Sequence, residues 1–462
     1  MSSYAVPKKL ANYSEAISGL KTIIDINPEI VNLLPLNASV DSKFSHASNR
    51  VVLFKIPSYS STVMDTSKSH ISFDFLNTST AQTGGATNFA KLVLGTGSLF
   101  NRVIVKSEGV VIQDSDNVQY LNKIITLMET KENQPSSDEG NYDELLGGLS
   151  TASTVTTHNQ LIGKSQMKKT NMIYRFNHGI FSKHLKSYLP IGWVGRGGTA
   201  FEVQLFLSDP SQCMMSTQAT APTETLYEIS NVQWVLSLLK LNESLSAKFN
   251  SLSQSGSAIK IPYTTYTSQS GALYGKSSTI FVSDSTTDIS SVICCIVPNN
   301  PPATDPLQML GSHLGDTNGL ASHNFTIGNK RLYNEDVLAG AFDNTSAQEM
   351  VKFGSKHSKK MFLEHLDPVP VTKDSVAFVR PLYETKGNFF TLANFRYTTD
   401  DFLCGVNLGS LPLRISKTCT QTAWSDSSIR SFVEANFTLI IQDGRASFVE
   451  IAHGKEMTSF SY

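Results

Sequence analysis

Histidine is the side chain that proteins use most often to bind metals and to move protons near neutral pH. The chain contains ten histidines. A metal enzyme of the cupin type needs a His-x-His pair on one strand, together with a glutamate and a later histidine. No His-x-His occurs: His178 and His184 lie six positions apart, and His313 and His323 lie ten apart. No His-Glu-x-x-His occurs either. We therefore expect no metal site.

Two glycine-containing segments could in principle cradle a phosphate. The segment 162–165 (Ile-Gly-Lys-Ser) is similar to the end of a P-loop, but that loop needs a glycine where this chain has His158. The segment 95–100 has the first two glycines of a dinucleotide fingerprint, lacks the third and leads into a predicted strand. The glycines at 195–198 are typical of a turn. The sequence predicts no bound cofactor.

Candidate nucleophiles are equally poorly supported. There is no Gly-x-Ser-x-Gly, and no CxxC pair exists among the five cysteines. Nothing near Cys213 in the sequence would activate a thiolate. Cys294 and Cys295 lie in an apolar run and are typical of small buried side chains in a reducing compartment. Trp193 could contact a sugar or a partner, although a tryptophan at a corner more often packs in the core. The sequence therefore predicts no catalytic residue and no enzyme.

The overall charge excludes other classes of function. The chain has 462 residues, a net charge of −1 and 17% charged residues, which does not fit a basic protein that coats nucleic acid. We expect no sequence-specific nucleic acid binding, and the cluster Lys356, Lys359, Lys360 with His357 is typical of a solvated loop. The first residues have no apolar signal core, and no run of 18 apolar residues predicts a membrane span.

The elements that would hold any such site are short strands. The segment His70–Leu76 alternates apolar and polar residues, and Asp443-Gly444 is a strong hairpin signal. Helical spacing is confined to short segments, notably 118–128 and 245–252. The sequence predicts an all-β fold with a few short helices.

The length and pattern predict two β-sandwiches in tandem. Lys55-Ile-Pro57 opens one β-rich stretch and Lys260-Ile-Pro262 opens another. We predict an arm at residues 1–46, a first sandwich at 47–255 and a second at 256–462. The arm should contain a short helix or two between residues 10 and 36, and could pack on its own body or on a neighbouring subunit. Long polar excursions are expected at 131–169 and 298–323.

Four stretches together have the order of features found in a known family. They are residues 94–105 with 116–121, residues 188–192 leading to 201–205, residues 227–232 with the helix that follows, and residues 325–333 with a capping-box helix after Ser346. In this order the chain resembles the double jelly-roll major capsid proteins of icosahedral double-stranded DNA viruses. The virophage and Polinton-like type is the nearest, and adenovirus hexon is a more distant relative.

The resemblance implies two tandem eight-stranded jelly rolls and a structural role. Three chains would form a homotrimer with a pseudo-hexameric outline, and the trimers would tile a virion shell. The implied partners are neighbouring trimers, penton and minor capsid proteins, with an internal membrane beneath the shell left open. Assembly would take place in the host cell, in the cytoplasm or the nucleus. The alternative is a lectin-like or protein-binding tandem β-sandwich, which a secretion signal and paired cysteines would favour.

Overall fold

The computed structural model describes most of the chain, with gaps. The described residues are 27–39, 42–78, 90–92, 96–129, 168–195, 198–216, 226–254, 258–282, 288–299, 320–331, 336–338, 391–394, 412–419, 427–452 and 455–456. The segment 162–165, the lysine cluster at 356–360, His313, Cys404 and the capping-box helix after Ser346 lie outside these residues. No helix in the described part is long and apolar enough to cross a bilayer.

Strands dominate the described residues. In the first half they are β1 (Asn27–Leu33), β2 (Val51–Pro57), β3 (Thr62–Met64), β4 (His70–Asn77), β5 (Ala90–Leu92), β6 (Phe100–Ser107), β7 (Val110–Asp116), β8 (Lys168–Tyr174), β9 (Thr199–Leu207), β10 (Met214–Ser216) and β11 (Tyr227–Lys240). In the second half they are β12 (Ile259–Ala272), β13 (Ser277–Val282), β14 (Ile289–Pro298), β15 (Leu320–Ile327), β16 (Lys330–Arg331), β17 (Val337–Leu338), β18 (Thr391–Asn394), β19 (Leu413–Cys419), β20 (Ser427–Gln442), β21 (Arg445–Ala452) and β22 (Lys455–Glu456). The α-helices are α1 (Val118–Glu129), α2 (Pro210–Cys213) and α3 (Glu243–Gln254).

The first sandwich consists of two antiparallel sheets. Sheet 1 has the order β1-β11-β4-β8, with β3 also paired to β11, and sheet 2 has the order β2-β9-β6-β7. Alternate residues of each strand point inward, as the period of two requires. Trp234 at the centre of β11 is buried against the rings of Phe54, Phe176 and Phe181, with centroid distances of 5.4, 5.5 and 5.1 Å. These aromatic side chains fill the space between the two sheets.

The second sandwich is built in the same way. Sheet 3 has the order β18-β14-β20-β12, and β21 also pairs with β20. Sheet 4 has the order β13-β19-β15-β16, with β17 also paired to β15. Strand β20 is the long interior strand of sheet 3, and β12 pairs with it from Ile441 to Ser428. The second sandwich has an apolar core of its own, which includes the fully buried Val292, Phe325 and Val433.

The two sandwiches have one topology. In chain order, strands β1, β2, β4, β6, β7, β8, β9 and β11 of the first correspond to β12, β13, β14, β15, β16, β18, β19 and β20 of the second, and every sheet neighbour is preserved. Each sandwich therefore has eight equivalent strands in two four-stranded sheets. The prediction of an all-β chain with two tandem sandwiches is confirmed.

The segment before residue 46 differs from the expectation. A helix was expected between residues 10 and 36, which is wrong for residues 27–33: they form β1 and pair antiparallel with β11, from Asn27 opposite Lys240 to Leu33 opposite Trp234. Pro28 is tolerated because β1 is an edge strand. This part of the arm packs on the first sandwich of its own chain. The boundaries at 46 and 255 remain predictions, although β1, from residue 27 onward, belongs to sheet 1 of the first sandwich.

The paired openings do not mark equivalent positions. Lys55-Ile-Pro57 lies in β2, whose counterpart is β13, whereas Lys260-Ile-Pro262 lies in β12, whose counterpart is β1. The three-residue echo is therefore a coincidence, although the tandem repeat it suggested is real. The polar excursion expected to run to His323 ends earlier, because residues 320–327 form β15.

We predict that Trp234→Ala lowers the free energy of unfolding by about 3–5 kcal/mol, because it leaves a large cavity between three aromatic rings. Urea denaturation followed by fluorescence and circular dichroism measures the loss. Tyr274→Ala is the matched control: Tyr274 is 76% exposed, so its change should stay within about 0.5 kcal/mol. Equal losses in both variants would contradict the packing described here.

Candidate functional site

The residues considered first for chemistry do not converge. Thr96–Leu99 form a turn of 3-10 helix that leads into β6, and Gly97 lies against Asn122 of α1, whose side chain donates to the Gly97 carbonyl. Trp193 packs on Phe249 at a ring distance of 4.7 Å and donates to Asn250. Within the described residues, no three His, Cys, Asp or Glu side chains are grouped to hold a metal.

The described cysteines are buried and do not have the environment of nucleophiles. Cys213 is the last residue of helix α2, whose N-cap is Asp209, and burial raises the pKa of its thiol well above the ordinary value. Burial likewise raises the pKa of Cys295 to about 12. Because only the thiolate is reactive, these thiols stay protonated and inert at neutral pH.

Two basic side chains lie inside the second sandwich. Lys417 is 1% exposed on the inward face of β19, between Ile415 and Cys419, and His323 lies directly opposite it on β15. Burial lowers the pKa of Lys417 from 10.5 to about 8, an effect partly opposed by the nearby Cys294 and Cys295. Burial also lowers the pKa of His323, and the charge of Lys417 lowers it further.

The groups that do converge lie at the junction between the sandwiches. Edge strand β7 of sheet 2 lies beside edge strand β12 of sheet 3. Hydrogen bonds and an ion pair cross the junction: Gly179 N–H to Thr264 C=O (2.8 Å), Asn117 Nδ2 to Ser268 Oγ (3.1 Å), Gly195 N–H to Gly444 C=O (2.8 Å) and Glu108 with Arg445 (3.6 Å). Each sandwich thus covers an edge strand of the other, which removes a site of uncontrolled strand pairing.

The segment after β8 is the polar centre of this junction. His178 is 4% exposed, meets the ring of Tyr266 of β12 edge-on at 5.7 Å and lies 3.4 Å from Gln113 of β7. Gly179 has a φ of +81°, and a Cβ added there would lie 1.9 Å from Gln113 Oε1. Burial lowers the pKa of His178 from 6.5 to about 4. The imidazole is therefore neutral at physiological pH.

Apolar packing extends across the same junction. One continuous core cluster contains the first sandwich together with Ile259, Ile261, Tyr263, Leu439 and Ile441 of the second. Helix α3, which connects the two, contributes Leu245 and Phe249 to that cluster. Burying apolar surface contributes about 25 cal/mol of stabilising free energy per Å². Because many large side chains are buried in this shared core, the two sandwiches pack as one unit.

Helix α1 lies near the outer face of sheet 3. On that face Ile293, Cys295 and Phe432 are each at most 1% exposed, although they point away from the core of the second sandwich. Tyr120 of α1 lies close enough to Cys295 and Arg430 for their charges to affect its pKa, which burial raises strongly. Tyr120 of the first sandwich therefore lies near this face.

Sequence reasoning did not identify this junction. It considered His178 only through its distance from His184 along the chain, and its actual partners come from β7 and β12. The apolar run 292–297 was the one available signal, because apolar residues on both faces of a strand indicate burial from both sides.

No protein-family model matches the chain, and no curated protein matches it by sequence. By structure it is similar to a chain of the PBCV-1 virus capsid (TM-score 0.54, 10% identity, 92% of this chain and 97% of that one). It is also similar to a chain of the Sputnik virophage (0.51, 11%, 100% and 97%) and to the Faustovirus major capsid protein (0.54, 9%, 92% and 92%). The fold is the double jelly roll. At 9–11% identity the similarity is one of fold.

Within the described residues, the polar contacts of the junction connect the two rolls of the double jelly roll. A single roll has two lateral sides, one with β1 and β2 and one with β7 and β8 in the first roll. The junction joins the β7 side of the first roll to the β12 side of the second. The hydrogen bonds and the shared apolar core hold the two rolls together along these sides.

We predict that Gly179→Ala destabilises the chain by about 2–3 kcal/mol, since it adds strain at a positive φ and displaces the buried Gln113 side chain. Gly109→Ala is the matched control, because Gly109 has a φ of +84° and no atom within 4 Å of an added Cβ. It should show the backbone strain alone, about 1 kcal/mol. Thermal and urea unfolding measure both, and equal effects would mean that Gln113 does not fix this segment.

We predict that stability falls as the pH drops from 6.5 towards 4. Between these values the unfolded chain binds a proton at His178 and the folded chain does not, so acid favours unfolding, by about 3 kcal/mol at pH 4. The variant His178→Asn cannot bind this proton and should lose that part of the pH dependence. His323 contributes to the pH dependence in the same direction, and the variant retains that contribution. Urea midpoints at pH 7, 5.5 and 4.5 test this, and an unchanged slope in the variant would contradict it.

Proposed function

We propose that the chain is a major capsid protein, which builds the shell of an icosahedral virus. The observation that carries this proposal is the double jelly roll itself: two rolls of one topology, held by a buried junction, over the whole described chain. Solved chains with this fold include those from the PBCV-1 capsid, the Sputnik virophage and Faustovirus, and almost their full length is matched.

The proposed role is mechanical. Three copies of a two-roll chain place six rolls around one axis, so a trimer has a nearly hexagonal outline and can tile a shell. The junction suits this use, because a rigid angle between the two rolls is what a regular outline requires. Many weak contacts between trimers then add up across the lattice.

The remaining parts of the proposal concern place and partners. The chain would act in the virion, with itself and neighbouring trimers as its main partners and with penton and minor capsid proteins at special positions. It would be assembled in the host cell. An internal membrane beneath the shell remains an open part of this proposal. No catalytic residue, metal or cofactor is assigned, in keeping with the capsid proteins to which it is similar in fold.

The lectin-like alternative has less support. It would need an exposed binding face with a built-in set of polar and aromatic groups. Trp193, the aromatic residue considered for that role, is only 7% exposed and packs on Phe249. No described feature favours sugar binding over assembly.

We predict that the purified full-length chain, of 50.5 kDa, forms a stable trimer. Mass photometry should show one main species of three times the chain mass, and negative-stain images should show hexagonal projections. The physical reason is that permanent assemblies bury large interfaces, commonly 2,000 Å² or more. A protein that stays monomeric from nanomolar to micromolar concentration would contradict the proposal.

A further inference from the structure

The segment after β8 connects the two rolls of one chain through a short series of polar contacts. His178 is buried and meets the ring of Tyr266 of β12 edge-on. The next residue, Gly179, donates its backbone N–H to the carbonyl of Thr264 of β12 at 2.8 Å. On the other side, Gln113 of β7 lies against both His178 and Gly179. A change at His178 therefore acts directly on one strand of each roll.

The hydrogen bonds of Gln113 fix which end of its side-chain amide faces the histidine. Its Oε1 accepts the backbone N–H of Ile180 at 3.3 Å, and its Nε2 donates to Ser115 Oγ at 3.2 Å. Nε2 also lies 3.4 Å from His178 Nδ1. Because an amide nitrogen can only donate, Nδ1 is the unprotonated acceptor of the ring. The closed junction therefore fits a neutral imidazole with its proton on Nε2.

A protonated imidazole does not fit this arrangement. The imidazolium has a hydrogen on both nitrogens, so Nδ1–H would point at the NH2 group of Gln113, with two donors face to face. Turning the amide over would offer Oε1 to the ring, but it would also direct the NH2 group at the N–H of Ile180. The side chain cannot move towards Gly179, where even an added Cβ would lie 1.9 Å from Oε1. Segment 178–180 must therefore move when His178 gains a proton.

The side chains around His178 do not offset the charge of this proton. Gln113 and Ser115 of β7 and Tyr266 of β12 are all neutral throughout the acid range. Among the described residues, burial is the one cause that lowers the pKa of His178. The added charge is therefore buried without an opposite charge, which is costly.

The charged side chains of the neighbouring elements have other surroundings. Asp114 and Asp116 of β7 are both exposed. Glu434 of β20 lies in register with Tyr266 and accepts a hydrogen bond from Ser291. The segment around His178 contributes three basic side chains, Arg175, Lys183 and His184.

The α3 end of the junction is held in a different way. Gly195 N–H donates to Gly444 C=O at 2.8 Å, and helix α3 buries Leu245 and Phe249 in the shared apolar cluster. None of these groups titrates between pH 4 and 7. Thr264 lies five residues along β12 from Ile259, the first residue of that strand, or about 17 Å away. The α3 end therefore keeps its contacts in acid and can serve as a hinge.

We propose that the His178–Gln113 pair is an acid-sensitive latch between the two rolls. When the imidazole gains a proton, Gly179 N–H releases Thr264, and the rolls pivot about the α3 end while each roll stays folded. The inference goes beyond the proposed function, because it concerns a motion within one chain and does not depend on assembly. In the proposed shell, the same motion would change the outline of each trimer in acid.

Hydrogen–deuterium exchange of the full-length chain, followed by mass spectrometry, tests the latch. Peptides that contain Gly179 report the latch, those that contain Gly195 report the hinge, and those of β11 report the core of the first roll. The pKa of His178 is about 4 in the closed form and about 6.5 once the ring is solvated, so opening becomes about 30-fold more favourable between pH 7.5 and pH 5. After correction for the intrinsic effect of pH on exchange, we expect protection at Gly179 to fall about 30-fold.

The urea dependence separates a local opening from global unfolding. A latch exposes little surface, so exchange at Gly179 at pH 5 should be faster than at Gly195 and β11 and should hardly change in low urea. If Gly179 exchanges only at the rate of β11, and with the same urea dependence, the rolls do not pivot and the proposal is wrong.

The variants His178→Asn and His184→Asn form a matched pair. Both replace a histidine of the same segment, but His184 is exposed. We expect His184→Asn to keep the 30-fold loss of protection at Gly179, and His178→Asn, which has no proton to gain, to lose it. Circular dichroism and the thermal midpoint at pH 7.5 confirm that both fold. The same acid response in both variants would contradict the proposal.

The variant Gln113→Glu tests the donor–donor clash itself. It replaces the NH2 group by a carboxylate oxygen, which can accept the Nδ1–H of protonated His178 while the other oxygen still accepts from Ile180. We therefore expect Gly179 in this variant to keep its protection between pH 7.5 and pH 5. A variant that opens in acid as the wild type does would overturn the latch.

Discussion

Strand β14 is apolar on both of its faces, and this property determines where the two rolls must lie. Val292, Cys294 and Ile296 face the core of the second roll, whereas Ile293 and Cys295 face outward and are equally buried. An outer face of this kind cannot be left in water without a large loss of hydrophobic stabilisation. On this side of sheet 3, Tyr120 of helix α1 lies near Cys295, and His178 contacts Tyr266. Groups of the first roll therefore lie on the side of sheet 3 where β14 is apolar and buried.

Burial at the junction also determines the chemistry of its polar groups. Neutral His178 contacts Gln113 and Tyr266 without the cost of a buried charge, and Gly179 allows the backbone to approach β12 closely. The exposed pair Glu108–Arg445 lies at the rim, where ion pairs contribute little. Acid acts on the buried imidazole of His178, because the unfolded chain accepts a proton there that the folded chain excludes.

Local sequence signals correctly predicted β4, the turn between β20 and β21, and helices α1 and α3. The alternation in β4, the Asp443-Gly444 turn and the 3–4 spacing in α1 are short-range features, and the structure has an element at each of them. Strand β1 was missed because its pairing partner, β11, lies some 200 residues later, and its apolar residues alone fit a helix as well as a strand. The junction was missed for the same reason, since His178, Gln113 and Tyr266 come from three distant segments. The resemblance to capsid proteins supplied the roll topology, which no local pattern contains.

The difference between the two outer faces follows from when each face is covered. Sheet 3 is covered within one chain, where the linking helix α3 keeps the two rolls at a high effective concentration, so its outer face can be apolar throughout. Sheet 1 is exposed to water in every free chain, so it has to mix the apolar side chain of Ile30 with polar neighbours such as Asn32 and Ser237. A contact between separate chains must also offset the loss of translational and rotational freedom, which the internal junction does not. In the proposed six-roll ring, fusing two rolls would halve the number of such contacts. The contacts between chains could then be polar enough to keep the unassembled chain from aggregating.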